Sequence, residues 1–312
     1  MRRTIKAIAF SLCVTSAIAA HGQSLTNFSD DFKQARDEGV SSVLLDIDND
    51  SLLFNRKDGF YTSGIRLSQK YTLRDQTSST AFGWRIGQDL YTASDIKLLP
   101  SQIAPNDHPY AGWLYGGVFS ESDRVDGTHQ LFGVDIGCLG PCAGGEATQK
   151  GLHHLISQPQ PQGWSMQMKD EWGVVLYADI APVRWKLGDA VDLTPSIGGR
   201  FGNIHTDVNA GLTLRAGQLN QLPDQSTLHG FLRVNGRAVA YDATLQGGYF
   251  SSDNPRTVDP RRLVGEAEAG LVWQREQNGL QASIIRRGNE ISGLSDAVGA
   301  QNFVRLQFIY IP

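Results

Sequence analysis

Beyond its N-terminal leader this chain has no apolar run long enough to cross a bilayer as a helix, which takes ~20 residues. It has alternation instead. Residues 60–73 read FYTSGIRLSQKYTL, residues 129–137 HQLFGVDIG, residues 172–180 WGVVLYADI and residues 302–311 NFVRLQFIYI. Successive side chains of a strand point to opposite faces, so each segment carries one apolar and one polar face. About twelve such segments recur, most near the ~9–11 residues of a tilted membrane strand. Polar clusters such as Asp253-Asn-Pro-Arg256 separate them. An open sheet in lipid would leave backbone groups unpaired, so strands that enter a membrane must close on themselves. The expected fold class is therefore all-β: an antiparallel transmembrane β-barrel of about 12 strands, with one short helix. A soluble sandwich or lipocalin-like barrel shares the alternation. Trp84, Tyr91, Trp113, Tyr115, Trp172, Tyr177, Trp185 and Tyr310 fall near strand ends and are candidates for aromatic girdles. The chain closes on Tyr310-Ile-Pro312, with Tyr310 in the place of a terminal aromatic.

The leader itself is short. Arg2, Arg3 and Lys6 precede an apolar stretch that ends in Ala17, Ala19, Ala20 and Gly22. A positive start, a short apolar core and small residues describe a secretory signal peptide over residues 1–22, cut near Ala19 or Gly22. Residues 23–312 then read as a single outer-membrane β-barrel domain. Charged residues make up 19% of the chain, below the ~25% of soluble domains. A net charge of −4 argues against a nucleic-acid partner. Export also decides the cysteines: Cys138 and Cys142 flank a Gly-Pro turn and are expected to close as a disulfide in an oxidising compartment.

One segment breaks the alternation. Residues 146–157 read EATQKGLHHLIS, after Gly144 and Gly145 and before Pro159 and Pro161. A short helix there puts Gln149 and His153 one turn apart on one face, with His154 turned about 100° away. A solvated surface pair is the plainer reading. Asp46, Asp48 and Asp50 imitate the start of a calcium loop, but Ser51 and Lys57 stand where its Gly and Glu belong. A polar turn is the plainer reading here too, although such hard oxygen ligands suit Ca²⁺. No G-x-S-x-G elbow is present, His205-Thr-Asp207 reads as loop polar groups, and His108 is weak alone. One combination makes coherent chemistry: His153 as a base taking a proton from water, Asn49 and Asp50 near a Ca²⁺ ion, and Gln149 orienting.

Several stretches, in the same order, resemble the outer-membrane lipid A 3′-O-deacylase family. They are Asp48-Asn-Asp50, Asp58-Gly-Phe-Tyr-Thr-Ser-Gly64, Asp107-His-Pro-Tyr-Ala-Gly-Trp-Leu-Tyr115, Gln149-Lys-Gly-Leu-His153, Pro161-Gln-Gly-Trp164, Gln167 and Glu171. His108 replaces the Arg of the family pattern, and the Cys138–Cys142 loop and terminal Pro312 depart from it. The resemblance covers nearly the whole mature chain. It implies a twelve-stranded barrel whose active site lies near the outer leaflet, between the wall and the short helix. It implies Ca²⁺-dependent hydrolysis of the 3′-linked acyl esters of lipid A, with lipopolysaccharide as substrate and outer-membrane lipids as surroundings. The helix His then falls on His153 as general base, with Gln149 before it. The Asn-Asp pair falls on Asn49 and Asp50, and the Thr after Tyr on Thr62, as metal and oxyanion site. A monomer is expected. The alternatives are a passive barrel or porin, and a lipid-binding β-barrel without hydrolase activity.

Overall fold

The computed structural model describes residues 25–53 and 59–312. The leader assigned to residues 1–22 and its cleavage point lie outside the described residues, as do Phe54, Lys57 and Asp58. Twelve antiparallel strands form a closed ring among the described residues. They are β1 (Val40–Asn49), β2 (Phe60–Arg74), β3 (Ser78–Thr92), β4 (Ala111–Arg124), β5 (His129–Leu139), β6 (Glu171–Ala181), β7 (Val191–Gly202), β8 (His205–Gln218), β9 (Thr227–Asp242), β10 (Leu263–Arg275), β11 (Asn278–Arg287) and β12 (Gln301–Tyr310). β1 pairs with β12 from Val43↔Tyr310 to Asn49↔Val304, which closes the wall. A two-residue strand, Trp185–Lys186, pairs with β7 on the same edge as β6 and extends that ladder at the short-turn end.

Alternation decides which side chains meet lipid. On β2, Ile65 and Leu67 are exposed on the outer wall, while Ser68 is buried and Arg66 Nε donates to Tyr115 Oη inside, at 3.1 Å. Trp84, Trp172, Trp185 and Tyr310 stand exposed, as a girdle would. Four other aromatics do not. Trp113 and Tyr115 are buried and stacked on each other, Tyr177 lies under the Arg85 guanidinium at 3.9 Å, and Tyr91 stacks on His108. Aromatic content near a strand end does not say which face a residue takes.

An even strand count returns the chain to the end where it began, and the connections there are short. Asp75 makes one of them: its Oδ1 accepts from Thr77 N at 2.6 Å and Ser78 N at 2.8 Å. The opposite end carries the long connections, residues 93–110, 140–170, 243–262 and 288–300. Short turns on the periplasmic side and long loops outside are the outer-membrane arrangement, so the long-loop end faces the outer leaflet. That end is plugged by an apolar cluster that includes Trp113, Leu139, Met168, Val175, Ile204 and Ala243.

Two helices matter. α1 (Leu25–Glu38) lies at the short-turn end, with Phe32 edge-on to Tyr71 and Phe82 and Ala35 buried. It was not expected, although Phe28, Phe32 and Ala35 recur at helical spacing. α2 (Gly145–Leu155) is the expected helix, ending two residues earlier than anticipated. The Cys138–Cys142 disulfide is present, with its Cα atoms 6.0 Å apart, and joins the end of β5 to the turn that enters α2.

Ion pairs fill the lumen. Arg305 binds Asp48 through two bonds of 2.8 Å, Arg85 pairs with Asp135, Arg200 with Asp207, Arg237 with Glu290, and Lys70 with Glu121 at 2.7 Å. Twelve strands are also fewer than the ~16–18 that leave an aqueous channel. In planar bilayers the folded protein is therefore expected to give no porin-like conductance steps. Regular open-channel steps would mean that these pairs do not close the bore.

Candidate active site at the outer-leaflet end

Each expected site residue lies at the long-loop end, where β1 stops, β2 starts and α2 sits over β3 and β4. α2 comes close to the wall because residue 145 is glycine. A Cβ there would lie 2.8 Å from Trp164 and 2.9 Å from Leu90.

The face of α2 that turns inward carries Gln149, 2% exposed, and His153, 7% exposed. Burial decides against a solvated pair, whereas the neighbouring His154 is exposed. His153 Nδ1 lies 2.6 Å from the Pro159 carbonyl oxygen. A carbonyl only accepts, so the tautomer that this contact favours carries its ring proton on Nδ1 and its lone pair on Nε2. Gln149 Oε1 accepts from Trp164 Nε1 at 2.8 Å. Its Nε2 amide is buried with no hydrogen-bond partner among the described residues.

Trp164 is held in turn from the β3–β4 loop. The Asp107 carboxylate accepts from Ser94 N at 2.9 Å, Ser94 Oγ at 2.7 Å and His108 N at 2.7 Å. That turn delivers buried Tyr110 edge-on to Trp164, ring centroids 5.2 Å apart. The Asp-His-Pro-Tyr motif is thus a scaffold for the helix. Replacing Trp164 by Phe keeps the ring packing and removes the donor to Gln149. A buried acceptor left unpaired costs roughly 1–3 kcal/mol. The variant should convert to its unfolded electrophoretic form at a lower temperature than wild type, and an unchanged midpoint would show that the Trp164–Gln149 bond is dispensable.

The second half of the site is built where β1 meets β2. Asn49 Oδ1 accepts from Ser51 N at 2.8 Å and from Ser51 Oγ. Asp50 Oδ2 accepts from Gly59 N at 2.9 Å, and Asp50 N donates to Thr62 O at 3.5 Å. Thr62 is the extra residue of a β-bulge: Tyr61 pairs with Tyr91 and Ser63 with Leu90, which leaves Thr62 unmatched. A bulge re-aims its side chain, and Thr62 Oγ1 meets Thr92 Oγ1 at 2.7 Å. Phe60, just before it, holds a left-handed φ of 65°, a conformation that costs an L-residue of order 1–3 kcal/mol and clusters at functional sites. Leu90 links the halves: it pairs with Ser63 on one side and packs beside Gly145 at the start of α2.

The donor set of Asn49, Asp50 and Thr62 is an amide carbonyl, a carboxylate and a hydroxyl. Hard oxygen donors of this kind fit Ca²⁺ and disfavour softer metals. Asp48 and Asp46 do not extend the set. Asp48 faces the lumen against Arg305 and Tyr61, and Asp46 Oδ1 accepts from Gln307 at 2.6 Å.

His108 and His205 lie elsewhere. His108 is buried on the Tyr91 ring with Nδ1 2.6 Å from Pro109 O, and burial pushes its pKa down. His205 is 3.6 Å from Asp242, not paired with Asp207, which binds Arg200. Pro159, Trp164 and Thr92 hold the site residues in place without a role that the sequence alone reveals. Trp164 stood in a quoted motif, but nothing in the sequence marks Thr92 or a proline carbonyl as partners.

Residues 8–310 match the family described as Outer membrane protein LpxR. No curated protein sequence matches the chain. Among solved structures, the fold is similar to LpxR from Salmonella typhimurium, with a TM-score of 0.71 at 20% identity over 87% of this chain and 100% of that one. It is also similar to the β domain of the Bordetella autotransporter BrkA, with a TM-score of 0.50 at 10% identity over 87% of this chain and 98% of that one. With the match spanning almost every strand and both halves of the site, the chain belongs to the LpxR family of outer-membrane proteins.

Proposed function

We propose that this protein is a lipid A 3′-O-deacylase that hydrolyses acyl esters at the outer leaflet with Ca²⁺ bound by Asn49, Asp50 and Thr62. The observation that carries the reading is His153, buried on α2 with Nδ1 committed to the Pro159 carbonyl. Nε2 is then the basic atom, and its orientation is set before substrate arrives.

Nε2 takes a proton from a water molecule, and the hydroxide oxygen bonds to the ester carbonyl carbon. As the tetrahedral intermediate collapses, the carbon–oxygen bond to the sugar breaks. The imidazolium then returns its proton to the sugar oxygen, giving a free fatty acid and a hydroxyl on lipid A. The unpartnered Gln149 Nε2 amide is a donor for the carbonyl oxygen as negative charge grows there. Bound Ca²⁺ would supply positive charge beside that oxygen.

The test is direct. Purified protein folded in detergent is mixed with lipid A and Ca²⁺, and the products are read by mass spectrometry. Loss of a 3′-linked acyl group supports the reading. An unchanged lipid A mass with a folded barrel and Ca²⁺ present removes it.

A further inference from the structure

The β9–β10 connection carries a feature that neither the fold nor the proposed chemistry requires. After α3 (Ala243–Gln246), the chain crosses the rim and seats three consecutive amides on one carboxylate. Glu171, the first residue of β6, accepts from Tyr249 N at 2.7 Å, Phe250 N at 3.0 Å and Ser251 N at 2.8 Å. Asn203 Nδ2 donates to the same carboxylate at 3.0 Å. Residue 248 must be glycine, since a Cβ there would fall 1.8 Å from Glu171 Oε2. Two further bonds hold the flanks: Tyr241 Oη donates to Gly247 O at 2.5 Å, and Lys169 N donates to Asn254 Oδ1 at 2.8 Å. Four donors on a buried carboxylate make a rigid clasp.

The clasp displays Tyr249 and Phe250 at 68% and 78% exposure, with their rings edge to face at 5.0 Å. Such exposure leaves both rings uncovered at the rim. Their height on the barrel is fixed as well. Their backbone is hydrogen-bonded to Glu171, and the next residue, Trp172, stands 76% exposed on the outer wall above Val174 and Leu176. Glu171 itself turns to the inner face, so the clasp fixes the height of the pair on the rim, level with an outward-facing tryptophan. Tyr249, like Trp172, has the apolar body and polar handle that gather at that level of a bilayer, and Phe250 adds an apolar ring beside it.

The geometry points to the Glu171-clasped loop as an interfacial anchor: Tyr249 and Phe250 insert into the lipid surface of the outer leaflet beside Trp172. The clasp holds the loop in place, so insertion does not have to order it. The anchor is independent of the ester chemistry, and it is tested without measuring activity.

The experiment places a nitroxide at Phe250→Cys in the mature protein, reconstituted in phosphatidylethanolamine–phosphatidylglycerol vesicles. Its accessibility to oxygen and to a water-soluble nickel chelate is compared with labels at Trp172→Cys and at the tight-turn residue Asp126→Cys. The expected result is a label shielded from nickel like that at residue 172, at a depth of roughly 5–10 Å. Nickel accessibility equal to that at residue 126 would overturn the proposal. Adding Glu171→Ala should raise nickel accessibility at residue 250 toward that of the turn. If that variant does not fold, Gly248→Ala drives the loop off the carboxylate from the other side. An unmoved label in a folded clasp variant would show that Glu171 does not position the anchor.

Discussion

Changing His153 to Ala should lower acyl release from lipid A by roughly 100- to 10,000-fold, the contribution expected of a positioned general base. The barrel should remain intact. His153 sits on a short helix outside the strand ring, and its side chain bonds a loop carbonyl. Heat-modifiable migration should therefore match wild type, which separates loss of chemistry from loss of fold. His153→Gln is the sharper variant, since its amide can still donate to Pro159 O while having no basic nitrogen. Should His153→Gln keep wild-type turnover, Nε2 is not the base and the assignment fails. Gln149→Leu is expected to lose less, because it removes a hydrogen-bond donor and leaves the base in place.

The second large effect concerns the β1–β2 junction. Asp50→Asn preserves an oxygen that can accept from Gly59 N, so the local turn survives, but it deletes the negative charge. The Ca²⁺ concentration for half-maximal activity should rise at least about tenfold, in line with the 10–100-fold losses seen for weakened metal sites. Chelation with EGTA should abolish wild-type activity, and restored Ca²⁺ should return it. The two perturbations act on one site, so chelating the variant should add little beyond chelating wild type. Wild-type activity that survives EGTA would remove the metal from the mechanism and leave Asn49, Asp50 and Thr62 as a structural turn.

Much of the barrel was legible because lipid imposes a simple rule. An outward strand position must be apolar and its neighbours need not be, so Ile65 and Leu67 alternate with Arg66 and Ser68 in a pattern visible without coordinates. The helix was legible for the same kind of reason, since Gly144, Gly145 and Pro159 bracket a segment with a different period. α1 is less legible because its apolar stripe is narrow. The aromatics were misassigned where the face mattered: Trp113 and Trp172 look alike in sequence, yet one is buried in the mouth and the other meets lipid.

By itself the sequence determined the strand count to within one short hairpin, the helix, the disulfide pair and the residues worth suspecting. All of these depend on spacing along the chain, over a few residues at a time. Only the tertiary structure decided that His153 is oriented by Pro159, that Gln149 is held by Trp164, and that Thr62 is thrown out of register against Thr92. It also decided that Asp48 is neutralised by Arg305, 257 residues away in the chain, and so serves the lumen and not the rim. The physical reason is barrel closure. It brings β12 beside β1 and folds long loops across the rim, and the partners that set a side chain's orientation there are remote in sequence and carry no local pattern.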